Sequence, residues 1–365
     1  MINLQFFPSR PIALYMARLF VLRTLAVLAA LVAILMTLDL LGNSGEILAV
    51  PGNGDAELWR YVSLRLPQLV NRFLPFSVLL GTLITLATLN QHSEIVSMKA
   101  AGISAHQIVA PLVVAATLLA LLHFAFNERV VTRATAALDA WESAEWQNVP
   151  QASGVQNDVA ALHRGDLIFV RRVSGNGDDV RLAGITIYER EGGTLQRIVE
   201  AESGARVAGG WQLRNVSTFS VESGEQARLP SLAFGADIRP DQFTLARVDP
   251  DEEDFWTLRR SIAELRAVDR PTESLEANLW RKLASPMSSI LMPLLAAVAA
   301  FGLARSGQLF ARAVIGMALG FAYFVADNFA LAMGNFGAYS PLLAAWGPFV
   351  LFLLVGETVL IRTEE

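Results

Sequence analysis

The residues of this sequence that could do chemistry are charged side chains at the ends of long apolar runs. Arg65 and Arg72 open one run, Arg281 and Lys282 open another, and Asp327 lies inside a third. A charge in such a run is costly unless it meets a partner or water. Each of these side chains is therefore a candidate for contact with a charged ligand. The alternative is that the long basic side chains extend to the headgroup region, as arginine and lysine do near span ends.

No set of residues has the spacing of a catalytic site. The sequence lacks the phosphate-binding G-x-x-x-x-G-K-[ST] loop and the G-x-S-x-G nucleophile elbow. Its four histidines are not spaced as metal ligands, and it has no cysteine for thiol chemistry or disulfides. We therefore expect no catalytic residue, no metal and no cofactor bound by this chain. Any work that it performs must be powered from elsewhere.

Six apolar runs must position the charged residues. Of the 365 residues, 53% are hydrophobic and only 17% are charged, against about 25% charged residues in soluble domains. A run of about 20 apolar residues crosses a hydrocarbon core of about 30 Å. The first run has no small-residue cleavage site, so we interpret it as a retained span. The sequence predicts an α-helical membrane protein with spans at 19–41, 67–89, 107–126, 283–303, 313–333 and 342–361.

The distribution of basic residues predicts the orientation of these spans. Cytoplasmic loops are enriched in lysine and arginine. A cytoplasmic N-terminus puts two basic residues, Arg60 and Arg65, in the short outer segments. It leaves both termini inside and the long segment between spans three and four outside. The inner segments then hold seven basic residues: Arg10, Arg18, Arg23, Lys99, Arg305, Arg312 and Arg362.

The segment between spans three and four has the pattern of a separate domain. Helix formers occupy 127–146, an acidic run that we expect to be solvated occupies 249–254, and an amphipathic helix is predicted at 257–267. Short runs rich in β-branched and aromatic residues alternate with glycine-rich turns, which is typical of a β-sandwich or jelly roll. These strands are predicted at 167–173, 184–190, 197–203, 211–223 and 229–235. We predict helices one to three in 1–127, the inserted domain in 128–278, and helices four to six in 279–365.

A short helix is predicted between spans two and three, in "SEIVSMKAAGIS" at 93–104. Ser93 is a good N-cap, Glu94 and Lys99 carry the charges that suit the two ends of a helix, and Gly102 is placed as its stop. The predicted helix, 93–101, is too apolar for a solvated loop because of Ile95, Val96 and Met98. It lies on the membrane surface or docks into a cytoplasmic protein, as the coupling helices of ABC transporter permeases do.

The sequence around this helix resembles a known family. "LPFSVLLGTLITLATLNQHSEIVSMKAAGIS" (74–104) is similar to the LptF/LptG permeases of the bacterial lipopolysaccharide exporter. The resemblance continues in "NERVV" (127–131), in "WQLRNV" (211–216), and in 279–307 and 316–348. The order of three spans, an insert and three spans also agrees. The segment "LDLLGNSGEIL" (38–48) is closer to the LptG type than to the LptF type.

The resemblance implies a fold, a set of partners and a function. It implies a periplasmic β-jellyroll insert and a non-catalytic subunit in the bacterial inner membrane. Its partners would be a second LptF/LptG-type permease, a cytoplasmic LptB-type ATPase dimer that uses ATP and Mg, a single-span LptC-type protein and periplasmic LptA-type jellyroll proteins. The assembly would move lipopolysaccharide from the outer leaflet of the inner membrane to a periplasmic bridge toward the outer membrane. No nucleic-acid partner is implied.

The same resemblance assigns roles to the charged residues. The helix 93–101 would be the coupling helix, with Glu94 at the acidic position of the family and Ile95, Val96, Met98 and Lys99 beside it. Arg65, Arg72, Arg281 and Lys282 are candidate contacts for lipid A phosphates. Asp327 lies 15 residues after Arg312, or about 22 Å along a helix, where it pairs with Arg281 or Lys282 or reaches interfacial water.

The sequence departs from the family at the outer end of the first span. We expect a basic residue there in some LptG-type chains, and this chain has Asp39 instead. Its phosphate contacts are then redistributed to other positions.

Two other functions fit a six-span chain with an inserted domain. A secondary transporter would need polar residues near the bilayer midplane, at broken helices, and these spans contain few acids. A membrane scaffold that uses the β-domain as a binding module is the other alternative. Co-purification with an ATPase separates both from the exporter.

Overall fold

A computed structural model of the chain describes most of the sequence. The described residues are 8–147, 156–163, 166–175, 179–191, 194–207, 210–221, 223–235, 238, 248–267, 270–302 and 309–362. The N-terminal half contains α1 (Arg10–Ala49), α2 (Asp55–Gln91), α3 (Glu94–Ala100), α4 (Ala105–Phe126) and α5 (Thr132–Ser143). The C-terminal part contains α6 (Phe255–Ala267), α7 (Glu273–Ala297), α8 (Leu309–Asn335) and α9 (Pro341–Arg362).

Six helices are long and apolar enough to cross a membrane. They are α1, α2, α4 with its continuation through α5, α7, α8 and α9. Five of the predicted spans fall inside them and the fourth, 283–303, overlaps α7 and its π-turn up to residue 302, so the predicted arrangement of three spans, an insert and three spans is confirmed. The helices extend beyond the apolar runs because their polar ends remain helical at both membrane surfaces. Helix α3, the insert and α6 are the elements that connect them.

Helix α7 is the centre of the membrane unit. It packs against α2, α4, α8 and α9, and its apolar stretch is the most buried of the six. Small residues fill its contacts, including Ala284, Ser288 and Ser289, all nearly inaccessible. Helices α1, α8 and α9 lie at the periphery and bury only a stripe each. Their exposed apolar side chains, such as Leu41 and Phe321, face lipid or another chain.

Two π-helical turns interrupt the regular helices. One covers Asn127–Val131, between α4 and α5, and the other covers Val298–Gly302, at the end of α7. A π-turn holds one more residue per turn than an α-helix, and such turns are frequent at functional sites. The first falls where α4 leaves its apolar stretch. The sequence predicts one continuous helix over 127–146, because a π-turn has no distinctive residue signal.

The inserted domain is an antiparallel sheet of six described strands. They are β1 (Gln156–His163), β2 (Asp166–Ser174), β3 (Arg181–Glu191), β4 (Thr194–Val207), β5 (Gly210–Ser220) and β6 (Gln226–Phe234). Each strand pairs with its sequence neighbours, so the strand order is β1-β2-β3-β4-β5-β6. Alternating side chains such as Ile168 and Val170 point to one face, where they pack around Trp211. The Trp211 indole donates to the Ile238 carbonyl at 2.9 Å, which closes this core.

The prediction of an all-β insert is confirmed, and five of its strands lie where the sequence places them. The described strands form a meander within one sheet. Strand β1 was missed because "QNDVAALH" begins with polar residues and has little of the β-branched content that marks the others.

The chain divides into two compact units. One contains 1–140 and 250–365, and the other contains 141–249. The helical stretches next to the sheet, 127–140 and 250–278, therefore group with the membrane helices. The domain bounds that the sequence analysis drew at 128 and 278 stay a prediction.

A glycine sets the approach of α1 to α2. A Cβ on Gly81 would lie 2.3 Å from the Thr24 hydroxyl oxygen and 2.8 Å from the Thr24 backbone. Real Cβ atoms do not approach backbone atoms so closely, so only glycine permits this crossing. Small residues play the same part in many membrane helix pairs, because they let two backbones approach.

We expect Gly81→Ala to destabilise the protein by about 1–3 kcal/mol, because the added methyl group forces α1 and α2 apart. Gly45→Ala in α1 is the matched control, since a Cβ there has nothing within 4 Å and alanine is the better helix former. The measurement is thermal unfolding of both variants in the same detergent. Equal transition temperatures for the two would show that α1 and α2 do not meet at Thr24.

Candidate coupling and substrate sites

The ends of the short helix α3 are fixed by backbone geometry. Gly102 has φ +84°, and the Ile103 amide donates to the Met98 carbonyl at 3.0 Å, so the predicted glycine stop is confirmed. The predicted Ser93 cap is wrong. Ser93 has φ 58°, in the left-handed region, and its side chain makes no cap bond. The chain turns tightly out of α2 at this residue, which prevents the extended conformation that an N-cap needs.

One face of α3 belongs to the core of the membrane unit. Ile95 and Met98 are only 5% and 9% exposed and pack in the same cluster as Met16 and Phe20 of α1. The prediction that both side chains need a partner or lipid is corrected, because their own chain covers them. They attach α3 to the bundle instead of offering it to another protein.

The other face of α3 is open. Val96 is 60% exposed. Lys99 is exposed, and its ammonium lies 5.0 Å from the centre of the Phe301 ring. The Tyr15 hydroxyl donates to Glu94 at 3.3 Å. Of the five predicted coupling residues, Glu94, Val96 and Lys99 therefore remain within reach of a partner.

A bidentate ion pair joins α1 and α2 at the end opposite α3. The Arg65 guanidinium donates to Asp39 at 3.0 and 3.1 Å, and the Tyr61 hydroxyl donates to the same carboxylate. Parallel bonds of this kind are among the stronger polar contacts in proteins. Arg65, a predicted substrate contact, is thus bound to Asp39, which occupies the position where a basic residue was expected. No local pattern shows this pairing, because 26 residues separate the two.

An apolar groove begins beside this ion pair. It has a volume of about 630 Å³ and runs between α1 and α2, with Leu40 and Leu66 next to the pair. Cavities of this size accommodate drug-sized ligands or parts of larger ones. The lining is almost entirely aliphatic, so the groove suits hydrocarbon. Its walls are Leu25, Leu28, Ala29, Val32, Ala33, Met36, Thr37, Leu40, Leu66 and Val70.

Arg72 lies two residues beyond the groove lining on α2 and points outward. It is exposed, and among the described residues it has no hydrogen-bond or ion-pair partner. Its neighbour Asn71 faces the bundle instead, where its side-chain oxygen accepts a hydrogen bond from His123 at 2.7 Å. Arg72 is thus the predicted basic contact that keeps its whole hydrogen-bonding capacity.

Arg281 is paired across two spans. Its guanidinium donates to Asp327 at 3.1 Å and to the side-chain oxygen of Asn328 at 3.3 Å. The prediction that Asp327 pairs with Arg281 or Lys282 is confirmed for Arg281. The contact joins α7 to α8, and both side chains are less than a third exposed. Planar guanidinium groups carry five donors, so Arg281 retains capacity for a second anion.

Lys282 has different surroundings from Arg281. Its ammonium lies in the field of four carboxylates, Glu128, Asp251, Glu253 and Asp254. This environment is acidic overall, which disfavours a phosphate next to the lysine. Lys282 therefore serves to neutralise these acids, and Arg281 is the better phosphate candidate of the two. No local pattern predicts this cluster, because the four acids come from two distant segments of the chain.

The acidic run at 249–254 organises the start of α6. Asp254 accepts hydrogen bonds from the Trp256 and Thr257 amides, both at 2.9 Å, and from the Thr257 hydroxyl. Ser261 donates to Glu253 at 3.1 Å. The expectation that this run is only solvated is therefore wrong for these two acids. An Asp immediately before the first apolar residues of a helix is a recognisable capping signal.

The two acids titrate in opposite directions. Burial raises the pKa of Glu253, with Asp254 and Glu264 adding to the shift and Ser261 opposing it. Hydrogen bonds from Thr257 lower the pKa of Asp254, because they stabilise its ionised form. The stabilisation by the Asp254 cap is thus complete above the ordinary aspartate pKa and is lost as the pH falls through the lowered folded value.

We expect the Trp256 and Thr257 amides to lose protection from hydrogen exchange as the pH falls below about 4, because protonated Asp254 is a weaker acceptor. Asp254→Asn keeps a neutral cap. In this variant the protection of the two amides, relative to their intrinsic exchange rates, should therefore not change as the pH falls. Asp254→Ala should lose protection at every pH, by about 1 kcal/mol. A decline that is the same in the wild type and in Asp254→Asn would assign the pH dependence to another group.

The chain matches the sequence model of the family described as lipopolysaccharide export system permease LptF/LptG, over residues 14–362. It is 26% identical over 352 residues to the lipopolysaccharide export system permease protein LptG of Escherichia coli (strain K12), with 94% of each chain covered. It is 27% identical over 356 residues to the protein of that name from Haemophilus influenzae (strain ATCC 51907 / DSM 11121 / KW20 / Rd), with 93% of this chain and 97% of the relative covered. Both relatives are of the LptG type, as 38–48 predicts. The match spans the helices and the insert alike, and the chain therefore belongs to the LptF/LptG family of lipopolysaccharide export permeases.

Proposed function

We propose that this chain is the LptG-type permease subunit of an ABC transporter that extracts lipopolysaccharide from the outer leaflet of the bacterial inner membrane. The observation that carries the proposal is the family match over 14–362, which includes every span and the insert. The chain itself is non-catalytic, and a separate LptB-type ATPase dimer supplies the energy with ATP and Mg. A second LptF/LptG-type permease completes the membrane part.

The proposed orientation follows from the charges at the two ends of the spans. Both termini and α3 are cytoplasmic, and the insert is periplasmic. This arrangement places most arginine and lysine residues of the short loops inside. It also places α3 where an ATPase can reach it.

In this proposal α3 couples the ATPase to the bundle. Ile95 and Met98 fix the helix to the core that contains α1, so a displacement of α3 moves the spans with it. Val96, Glu94 and Lys99 form the surface that a groove on the ATPase would receive. The division of roles between the two faces explains how a helix of seven residues, too short to be stable alone, transmits force.

We expect Glu94→Arg to reduce the ATPase recovered with the purified complex and to uncouple hydrolysis from lipid release. Truncating one member of a buried charge pair costs about 2–5 kcal/mol, and the reversal adds repulsion. Glu94→Ala should have the same effect more weakly. Glu46→Arg makes the matched change on an exposed residue at the insert side of α1 and should assemble normally.

The Tyr15 contact provides the decisive comparison for Glu94. Tyr15→Phe removes the hydrogen bond inside the chain and leaves the carboxylate on the surface of α3. If Tyr15→Phe reproduces the loss of ATPase, Glu94 acts within its own chain and not on a partner. Failure of the wild type to recover any ATPase would favour a secondary transporter or a scaffold.

The proposed substrate site lies on the insert side of the membrane unit. The aliphatic groove between α1 and α2 suits acyl chains, and Arg72 lies on the same helix, with a free guanidinium for a phosphate. Arg281 offers a second cation, held in place by Asp327. Arg65 and Lys282 contribute to the charge balance through their acidic neighbours. Lipid A, with phosphates above several acyl chains, fits such an arrangement.

We expect Arg281→Gln to lower the stimulation of ATP hydrolysis by lipopolysaccharide more than the basal rate. The single variant leaves the Asp327 carboxylate unpaired, and an unpaired buried charge costs stability. The double variant Arg281→Gln with Asp327→Asn removes that charge as well. If Arg281 binds phosphate, both variants lose stimulation equally. Recovery in the double variant would show that Arg281 only neutralises Asp327. Lys282→Gln is the neighbouring control, and its ratio of stimulated to basal rates should stay unchanged.

The insert is proposed to join the periplasmic bridge of LptC-type and LptA-type proteins, directly or through the partner permease. The described sheet has β1 and β6 at its edges, and β6 is exposed along most of its length. An open edge can accept a strand from a similar fold, with main-chain hydrogen bonds providing the affinity.

A further inference from the structure

Helix α6 has an outward face that no other part of the described chain covers. Trp256 is 67% exposed, and Arg259, Arg260 and Ala263 are exposed as well. The spacing of three, four and seven residues puts these side chains on one face. The opposite face is buried through Leu258, Ser261, Ile262 and Leu265.

The start of α6 lies near the residues where the apolar run of α7 begins. Asp254, the cap of α6, lies in the field of Lys282, and the apolar run of α7 begins at the next residue. The other end of α6 is held by an ion pair between Arg266 and Glu276, which is six residues, or about 9 Å, earlier on α7. The N-terminus of α6 therefore lies nearer to the membrane-entering end of α7 than the C-terminus of α6 does.

This orientation fits the layers of a membrane surface. Trp256 is the residue type that is enriched at the boundary of the hydrocarbon, and Phe255 packs edge-on against it with the ring centres 5.2 Å apart. Arg259 and Arg260 follow about 4–6 Å farther from the hydrocarbon, where lipid phosphates lie. The N-terminus cannot tilt away easily, because the Phe255 amide donates to Glu128 of the π-turn at 2.6 Å.

The charges on this face have no counterpart in the described part of the chain. Neither Arg259 nor Arg260 makes an ion pair or a side-chain hydrogen bond there, and Glu264, one turn beyond Arg260, is not bonded to either. Guanidinium groups bind phosphate oxygens in a planar, two-pronged geometry. The unpaired guanidinium donors on this face are therefore suited to bind an anionic phosphate.

We propose that α6 is an interfacial anchor, which inserts Trp256 into the membrane surface on the insert side and binds the phosphates of anionic phospholipid headgroups through Arg259 and Arg260. The contact goes beyond the proposed export function and does not involve the exported lipid. It would hold the segment that leads out of the inserted domain at a fixed depth beside α7.

The absence of cysteine in the sequence permits single labels on an otherwise unchanged chain. Thr257→Cys and Ala263→Cys each take a spin label, and the full chain is reconstituted in vesicles of phosphatidylcholine and phosphatidylglycerol without lipopolysaccharide. We expect the label at 257 to be shielded from a water-soluble relaxing agent and accessible to oxygen. The label at 263, about 9 Å farther along the helix, should show the reverse. Equal access of the aqueous agent to both positions would overturn the proposal.

The charge contribution is tested with a fluorophore at Thr257→Cys and brominated lipids as quenchers. Brominated phosphatidylglycerol should quench more than brominated phosphatidylcholine. Each arginine replaced by glutamine should reduce this preference by up to about fivefold, and Arg259→Lys with Arg260→Lys should retain most of it. Two results would exclude binding of lipid headgroups by these arginines. One is a preference for brominated phosphatidylglycerol that is unchanged in the double glutamine variant, and the other is loss of this preference when free inorganic phosphate is added. Shielding of 257 that requires an added partner protein would assign the face to a protein interface.

Discussion

Two adjacent cations, Arg281 and Lys282, lie just before the apolar run of α7, the most buried span. The need to neutralise both charges is the constraint on which this end of the membrane unit depends. Arg281 and Lys282 are neighbours on α7, so their side chains leave the helix in directions about 100° apart. Arg281 donates to Asp327 of α8, and Lys282 lies in the field of the acids of the π-turn and of the segment before α6. A charge near the hydrocarbon must be neutralised, so the acids that neutralise these two residues come from three elements around α7.

The same constraint separates structural charges from available ones. Arg65 is committed to Asp39, and Lys282 is surrounded by carboxylates. Arg72 on α2 and the arginines on the outward face of α6 remain without partners in the described part of the chain. The structure therefore distinguishes cations that hold helices together from cations that can meet an anion outside the chain. Sequence position alone does not distinguish them, because all of them lie near the ends of apolar runs.

The fold was predictable to the extent that it depends on local pattern. Six apolar runs and five β-rich segments are each visible within a window of residues, and all of them appear in the structure. The predictions that were wrong concern residues whose conformation or burial depends on contacts between distant segments. Ser93 has the residue type of an N-cap but a left-handed backbone, and Ile95 and Met98 look available in the sequence but are buried in the core of the membrane unit. The pairing of Asp39 with Arg65 and the acids around Lys282 have no local signal at all.

The two ends of the membrane unit are built for different mechanical tasks. On the side of α3, the contacts with the core are apolar and close-packed, and such interiors transmit displacement because they compress little. At the other end, apolar contacts of α6 are supplemented by a few directional polar contacts: the Arg281–Asp327 and Arg266–Glu276 ion pairs and the bond from the Phe255 amide to Glu128. Ion pairs can exchange one anion for another without loss of packing. Arg281 keeps guanidinium donors beyond those that bind Asp327 and Asn328, so this side can accept an anion while the contact between α7 and α8 stays intact.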